Sequence, residues 1–261
     1  MSSDTLPPYV ELGTGPAVVF AHGTLMDKSM FEPQMQTLSQ AYRVILFDSR
    51  ARTGPWDSQW KIPDLVDDTL ALLNNLGIER CVLAGMSVGG FMALDFALTH
   101  PDRLDGLILI DGKAEPYHPE AQEAFGIEFG KLDIDGTIPR EWAEWCAPFC
   151  FSEQTFDRHP ELVEHWMDVW CSLPARSVYR EAFSWLDKPD RRPDLGKISM
   201  PTLIVHGELD APIPFAEAEE MAALIPDARL APVPGAGHTS NLEHPDLVSA
   251  EILAFLRSIY R

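Results

Sequence analysis

Apolar strands that alternate with helical segments predict an α/β protein with a mostly parallel, doubly wound sheet of about seven strands. The strands predicted at 17–21, 43–48 and 202–206 contain apolar runs without alternation, which is typical of strands covered on both faces. The segments between strands have helical spacing, which indicates right-handed crossovers between parallel neighbours. A chain of 261 residues is long enough to bury a sizeable core around such a sheet.

The predicted elements follow one another regularly in the first part of the chain. Residues 1–16 are rich in glycine and proline and have room for one short strand at 9–12, whose presence is left open. Residues 49–61 form a loop that contains Trp56, and Gly77 occupies the left-handed cap position after a helix. The elements predicted after the first strand are a strand at 17–21, a helix at 28–40, a strand at 43–48, a helix at 63–76, and strands at 81–84 and 107–110 that flank a helix at 91–98.

The alternation of strands and helices stops after residue 112 and resumes at 198. Between them the sequence shows helical stretches, frequent prolines and five of the seven tryptophans, which are Trp142, Trp145, Trp166, Trp170 and Trp185. We predict that 113–197, hereafter the inserted segment, is a helical cap, and that 1–112 and 198–261 form the core. Such an insertion lies over the carboxyl ends of the strands, where open α/β sheets bind ligands. A strand at 202–206, a helix at 214–224, a strand at 228–233 and a helix at 244–260 complete the core.

The composition limits the partners and the location of the protein. Asp and Glu total 40 against 20 Lys and Arg, and the resulting net charge of −20 repels nucleic acid and anionic lipid. No apolar run approaches the ~20 residues of a membrane span. Residues 1–5 are polar and lack the basic and apolar regions of a signal peptide. We therefore expect a cytoplasmic protein without a nucleic-acid or membrane partner.

The cysteines and the sequence motifs point to neither a metal nor a cofactor. Four cysteines are too few for a disulfide scaffold in a chain of this length, and we expect free thiols. Cys146 and Cys150 share a helix face, but no Cys/His set has zinc spacing. The chain has no phosphate-binding glycine loop with a lysine and no His-Glu-x-x-His motif. The expected partner is a small-molecule substrate.

The strongest local signal is a serine at the apex of a tight turn. Ser87 lies between the apolar run 81–84 and the helical segment 91–98, with Gly85 and Gly89 on either side. A turn of this kind forces the serine into a strained backbone conformation and brings strand and helix very close together, so its neighbours must be small. The turn holds the hydroxyl out of the sheet at the N-terminus of the following helix.

Residues 85–89 (Gly-Met-Ser-Val-Gly) in this context resemble the nucleophile elbow of the α/β-hydrolase superfamily. The resemblance extends over nearly the whole chain, and in general appearance the chain is similar to small capped esterases and to the 3-oxoadipate enol-lactonase branch. It implies a serine hydrolase that forms an acyl-enzyme. One departure is residues 48–52 (Asp-Ser-Arg-Ala-Arg), where relatives often have Asp-x-Arg-Gly-x-Gly, so the conformation of this loop is not predicted.

A serine hydroxyl is a weak nucleophile at neutral pH and needs a base, which in turn needs an orienting acid. Ser87, Asp210 and His238 each follow a predicted strand and occur in the chain order that the superfamily shows. Asp111 also ends a strand and is the competing acid, whereas residues 206–212 (His-Gly-Glu-Leu-Asp-Ala-Pro) resemble the usual acid loop. We predict Ser87 as nucleophile, His238 as base and Asp210 as acid.

The negative oxygen of a tetrahedral intermediate must be met by backbone N–H groups. Val88 is one predicted donor because it follows the nucleophile at the start of a helix. Residues 22–25 (His-Gly-Thr-Leu) resemble the His-Gly oxyanion motif of the family. Thr24 is the second predicted donor, with Leu25 next, and His22 is expected to brace this loop.

Apolar side chains near these loops are candidates for the wall of a substrate pocket, and they are Leu25, Met26, Met86, Trp56, Trp142 and Trp145. We expect a serine carboxylic-ester hydrolase that acts on a small to medium, largely apolar ester without metal or organic cofactor. A lactonase, a perhydrolase and a carbon–carbon bond hydrolase share the same three residues and remain alternatives. A ligand receptor that has kept the fold without catalysis is the alternative of another class.

Overall fold

The computed structural model describes residues 7–260 and contains a seven-stranded sheet, in agreement with the predicted fold class. Residues 1–6 of the expected turn-rich stretch, and residue 261, lie outside the described residues. The strands are β1 (Tyr9–Leu12), β2 (Ala17–Ala21), β3 (Arg43–Phe47), β4 (Cys81–Met86), β5 (Leu104–Ile110), β6 (Thr202–Gly207) and β7 (Ala228–Val233). They lie in the order β1-β3-β2-β4-β5-β6-β7, and all neighbours are parallel except β1 and β3.

The first strand, which the sequence left open, forms the antiparallel edge of the sheet. It pairs with β3 from Tyr9 opposite Phe47 to Leu12 opposite Val44, and all four of its residues are exposed. Every residue of β2, β4 and β6 is buried. Central parallel strands are covered on both faces and therefore carry a continuous apolar run, whereas an exposed edge strand does not. This difference explains why the edge strand was harder to predict.

The described part of the chain contains twelve α-helices. Helix α1 packs against α12 and α3 packs against α4, while α4 contacts the central strands β4 and β5. No helix within residues 7–260 has the length and apolar character needed to cross a membrane. The helices are α1 (Glu32–Leu38), α2 (Arg50–Thr53), α3 (Ile62–Asn75), α4 (Val88–Thr99), α5 (Pro119–Gly130), α6 (Arg140–Cys150), α7 (Glu153–Arg158), α8 (Pro160–Ser172), α9 (Ala175–Trp185), α10 (Phe215–Leu224), α11 (Ser240–Glu243) and α12 (Pro245–Ile259).

Two local predictions need correction. The helix expected at 28–40 is divided into a 3₁₀ turn at Lys28–Phe31 and α1, which begins at Glu32. Pro33 lies in the first turn of α1, where its missing N–H and fixed φ favour a helix start. The loop expected at 49–61 contains the short helix α2. The cap position predicted for Gly77 needs no correction, because its φ of 64° is left-handed as that position requires.

The inserted segment contributes helices α5 to α9 between β5 and β6, followed by a 3₁₀ turn at Arg192–Lys197. Aromatic rings pack against one another through its interior. The Trp185 ring centroid lies 5.1 Å from that of Tyr117 and 6.0 Å from that of Phe125, and Tyr117 reaches Phe91 of α4 at 6.5 Å. Such ring pairs contribute beyond the area that they bury. They connect the inserted segment to the helix that follows Ser87.

Candidate active site

Ser87 occupies the sharp turn between β4 and α4 with φ 51° and ψ −117°. A Cβ atom on Gly85 would lie 2.1 Å from the carbonyl oxygen of Gly89, and one on Gly89 would lie 2.3 Å from that of Ala21. Both positions therefore exclude any side chain, as the sequence predicted. The Ser87 N–H donates to the carbonyl of Ile110 on the neighbouring strand at 2.9 Å, which fixes the turn to the sheet.

The structure brings Ser87, His238 and Asp210 together at the carboxyl edge of the sheet. The Nε2 atom of His238 lies 3.0 Å from Oγ of Ser87, and its Nδ1 atom lies 2.7 Å from Oδ2 of Asp210. Ser87 and Asp210 are 7% and 6% exposed, so the hydrogen bonds are shielded from bulk water. With Nδ1–H donating to the carboxylate, Nε2 carries the lone pair and accepts from the serine hydroxyl. This is the arrangement that raises the nucleophilicity of a serine.

Charge interactions within this trio shift both titrations. Burial alone lowers the pKa of His238, but attraction to Asp210 and the hydrogen bond with it outweigh this effect, and the pKa lies above its usual 6.5. Burial alone raises the pKa of Asp210, and interactions with His238 and His206 lower it further than burial raises it. The imidazolium–carboxylate pair is therefore favoured over the neutral pair. His238 is suited to holding a proton taken from a hydroxyl.

Asp111, the competing candidate for the catalytic acid, forms hydrogen bonds with Gly207 and Ser240. One of its carboxylate oxygens accepts from the N–H of Gly207 at 2.9 Å. The other accepts from Ser240, from its N–H at 3.0 Å and its hydroxyl at 2.7 Å. Asp111 is completely buried, and burial raises its pKa to about 6. It connects the loop that follows β6 to the loop that contains His238, and Asp210 is the carboxylate hydrogen-bonded to His238.

Within residues 7–260, one group of side chains could in principle hold a metal ion, because its candidate ligand atoms lie within 4.8 Å of one another. The group consists of Asp111, His206 and Asp210. Their carboxylate oxygens and Nε2 of His206 already have partners in the protein, whereas Nδ1 of His206 has none among the described residues. The Nε2 atom of His206 lies 2.8 Å from the carbonyl of Ile213 and 3.3 Å from Oδ2 of Asp210, the oxygen that binds His238. A cation there would compete with these hydrogen bonds. We interpret the set as a buried network that supports the acid loop.

Residues 22–26, hereafter called the oxyanion loop after their predicted role, follow β2 and approach Ser87. His22 braces this loop as expected, since its Nε2 accepts from Ser49 N–H at 3.0 Å and its Nδ1 lies 2.9 Å from the carbonyl of Gly23. The N–H of Leu25 donates to Oε2 of Glu181 at 3.2 Å, so this group is already engaged. Leu25 is therefore a poorer choice of donor than Thr24. The assignment of Thr24 and Val88 stays a prediction.

Two buried carboxylates that sequence reasoning missed connect the inserted segment to the core. Glu181 of α9 accepts from Leu25 N–H and forms an ion pair with Arg52 at 2.7 Å. Glu243 of α11 accepts from Gly237 N–H, next to His238, at 2.8 Å and from Ser152 N–H of the inserted segment at 2.9 Å. Two sequence signals could have pointed to these carboxylates. One is the unusual sequence at 48–52, which contains the Arg52 partner of Glu181, and the other is the position of Glu243 shortly after His238.

Three of the predicted pocket residues are buried in the core, two within the oxyanion loop and one directly before Ser87. Leu25, Met26 and Met86 are 2%, 1% and 1% exposed. A Cβ atom on Gly23 would lie 2.3 Å from Sδ of Met86, so the thioether occupies the space that a side chain on Gly23 would need. A larger residue at position 23 would therefore require the Met86 side chain to move.

The predicted tryptophans are held by contacts with neighbouring residues. The rings of Trp142 and Trp145, both on α6, have centroids 5.6 Å apart, and Trp142 lies 5.3 Å from Phe129. The Nε1 atom of Trp56 donates to the carbonyls of Arg50 and Ala51 at 3.2 and 3.1 Å. Trp56 thus stabilises α2, the short helix that the sequence did not predict. Their role as pocket walls stays a prediction.

Comparison with known proteins agrees with this fold. Residues 18–251 match the model of a family described as the alpha/beta hydrolase family. The chain therefore belongs to the alpha/beta hydrolase family, and it is a hydrolase of that family.

Individual relatives are similar over most of their length. A solved structure of a thermophilic esterase from Thermogutta terrifontis is 34% identical with a TM-score of 0.90, covering 97% of this chain and 94% of that one. The AB hydrolase superfamily protein YisY of Bacillus subtilis is 29% identical over 95% of this chain and 94% of its own length. The 3-oxoadipate enol-lactonase 1 of Acinetobacter baylyi is 28% identical over 94% of this chain and 90% of its own length.

Proposed function

We propose that the protein is a serine carboxylic-ester hydrolase that works through an acyl-enzyme intermediate, with Ser87, His238 and Asp210 as its catalytic triad. The observation that carries this proposal is the continuous hydrogen-bonded path from Oγ of Ser87 through both nitrogens of His238 to Oδ2 of Asp210. The similarity to a thermophilic esterase across 97% of the chain supports an ester as substrate.

In the first half of the reaction, Oγ of Ser87 attacks the carbonyl carbon of the ester while Nε2 of His238 takes the hydroxyl proton. The carbonyl oxygen becomes negative, and the N–H groups of Thr24 and Val88 are the proposed donors that stabilise it. The bond between the former carbonyl carbon and the alkoxy oxygen then breaks while His238 gives its proton to that oxygen, and the alcohol leaves. The acyl group stays on Ser87 as a new ester.

In the second half, a water molecule attacks the acyl-enzyme and His238 takes one of its protons. The second tetrahedral intermediate collapses when the proton on His238 returns to Oγ of Ser87, which releases the carboxylic acid. Asp210 stays ionised throughout and stabilises the imidazolium each time it forms. The reaction needs no metal or organic cofactor, because the side chains supply the nucleophile, the base and the acid.

We further propose that the inserted segment is a cap over this site and that the substrate is a small to medium, largely apolar ester. The aromatic interior of the inserted segment includes Phe125, Trp142, Trp145 and Trp185. Together with Trp56, the cap tryptophans Trp142 and Trp145 are the candidate walls for an apolar acyl or alcohol group, whereas Leu25, Met26 and Met86 are almost completely buried in the core. Pockets of this kind obtain affinity from apolar area and orientation from a few polar groups.

The test combines labelling with turnover. After treatment with a fluorophosphonate, intact-mass measurement should show one adduct, and peptide mapping should locate it on Ser87. Hydrolysis of p-nitrophenyl esters of increasing acyl length should be rapid for short chains and fall once the chain exceeds the pocket. The Ser87→Ala variant is the matched control and should show neither labelling nor turnover. Labelling at another residue would contradict the proposal.

A lactonase is the second candidate, because a named relative is an enol-lactonase and a cyclic ester would use the same residues. Rapid turnover of lactones with slow turnover of linear esters would favour it. Labelling of Ser87 with neither activity would direct the search to peroxide as nucleophile or to carbon–carbon bond hydrolysis. Absence of both labelling and turnover would favour a non-catalytic receptor.

A further inference from the structure

The inserted segment and the core share an ion pair that is almost completely buried. The side chains of Arg52 on α2 and Glu181 on α9 are 5% and 2% exposed, with Nη2 and Oε2 2.7 Å apart. The remaining guanidinium donors are also used, with Nε bound to the carbonyl of Met26 at 2.7 Å and Nη1 to the hydroxyl of Ser177 at 3.2 Å. A buried pair of this kind is weak evidence for stability, because removing two charges from water is costly. We therefore consider which role other than stabilisation the geometry of this ion pair indicates.

Both partners of this pair also hold the backbone of the oxyanion loop. Glu181 accepts from the N–H of Leu25 at 3.2 Å, and Arg52 donates to the carbonyl of Met26 at 2.7 Å. Leu25 has a φ of 67°, a left-handed conformation that is unfavourable for leucine and persists only when its surroundings impose it. The ion pair thus fixes two successive residues of the loop, directly after Thr24.

We propose that Arg52 and Glu181 are positioning residues that hold the oxyanion loop in the conformation needed to stabilise a tetrahedral intermediate. The inference rests on the proposed function. The donor predicted at Thr24 belongs to a loop whose next N–H is held by an atom of the inserted segment. The inserted segment therefore helps to shape the catalytic centre and does more than cover it. Donors of an oxyanion hole act only when already in place, so small displacements of this loop reduce the rate.

The decisive variant replaces both charges with apolar residues, Arg52→Met together with Glu181→Leu. Replacing a buried pair in this way commonly leaves a protein folded, whereas removing one partner leaves an uncompensated charge. We expect kcat for a p-nitrophenyl ester to fall by about 10- to 100-fold with little change in KM, because the loop acts on the transition state. Affinity for a boronic acid, which mimics the tetrahedral state, should fall by a similar factor.

Two further variants separate positioning from general damage. Arg52→Met combined with Glu181→Gln also removes both charges but keeps an acceptor for Leu25 N–H, and it should lose less activity than the double variant. Glu164→Gln breaks an exposed ion pair with Arg140 inside the inserted segment and should keep wild-type kcat. A double variant with unchanged kcat, or one whose loss lies in KM alone, would overturn the inference.

Hydrogen exchange gives a readout that does not depend on activity. Amides of the oxyanion loop should exchange faster in the double variant than in the wild type, while amides of β5 should not change. Unchanged exchange in the loop would overturn the proposed brace. If the wild-type protein hydrolyses no ester and shows no labelling of Ser87, the proposed function fails, and the exchange result still decides whether the ion pair holds the loop.

Discussion

The carboxyl edge of the sheet and the inserted segment contribute to the site in different ways. The sheet edge presents Ser87, Asp210 and His238 on turns directly after β4, β6 and β7, and the hydrogen bonds between them measure 2.7 and 3.0 Å. The inserted segment adds no member to this trio. It reaches the same loops through Glu181, which binds the oxyanion loop, and Ser152, which shares Glu243 with the His238 loop.

In this fold, the side chains proposed for catalysis come from the sheet edge, whereas the residues that support their loops come partly from the inserted segment. A parallel sheet brings the ends of its central strands to one edge, so residues far apart in sequence meet without any help from the insertion. The position of each loop relative to the others is then set by buried carboxylates between the two regions. We expect substitutions at the sheet edge to abolish the chemistry and substitutions at the supports to weaken it.

Loss of the nucleophile should have the largest effect. Ser87→Ala removes the attacking oxygen and should reduce kcat for a p-nitrophenyl ester by roughly 10⁶-fold, as expected for a triad that acts as a unit. Its thermal unfolding should match that of the wild type, because the hydroxyl is small. Retention of most of the activity would mean that the sheet edge is not the catalytic region.

The two buried aspartates should respond differently to the same substitution. Asp210→Asn leaves His238 without its carboxylate partner and should lower kcat by about 10⁴-fold. Asp111→Asn should retain substantial activity but lower the free energy of unfolding by about 1–3 kcal/mol, because an amide replaces an acceptor that faces several donors. Kinetics and thermal unfolding of both variants provide the check. The reverse pattern would assign the acid to Asp111.

Glu243 tests the second connection between the two regions. Its carboxylate accepts from Gly237 N–H at 2.8 Å, from Ser152 N–H at 2.9 Å and from the hydroxyl of Thr155 at 2.5 Å. Glu243→Gln places an amide among these donors and should lower kcat by about tenfold, less than the ~10²-fold that a misplacement of 1 Å can cause. The matched control is Glu251→Gln, which removes a surface partner of Arg229. Equal kcat in the two variants would restrict Glu243 to a structural role.

The smallest effect concerns pH. His238 acts as a base only when neutral, so kcat/KM should rise with pH as its imidazolium loses a proton. Attraction to Asp210 outweighs burial and raises the pKa of His238 above its usual 6.5, so the midpoint of the rise should lie above that value. Asp111→Asn should lower the midpoint slightly, because the Asp111 charge also raises this pKa. A pH profile of the wild type and this variant is the measurement, and a midpoint at or below 6.5 would contradict the predicted charge balance.

Much of the fold could be predicted because each element depends on its own residues. Continuous apolar runs marked the buried strands, and glycines beside Ser87 marked a turn in which strand and helix nearly touch. Where local signals were weak, the exposed strand β1 was left open, and the division of the helix expected at 28–40 was not predicted. The short helix α2 could not be predicted because Trp56 stabilises it from outside the helix.

Local sequence patterns were sufficient to predict the fold class, the elbow at Ser87 and the order of the three residues proposed for catalysis. These follow from spacing along the chain and from the way in which a parallel sheet aligns the ends of its strands. The tertiary structure added that Asp210, the acid preferred from the sequence, is the carboxylate hydrogen-bonded to His238, and it alone showed Glu181 and Glu243 as buried supports. Such assignments depend on hydrogen bonds between residues that are distant in sequence, and composition and periodicity carry no information about which distant side chains meet.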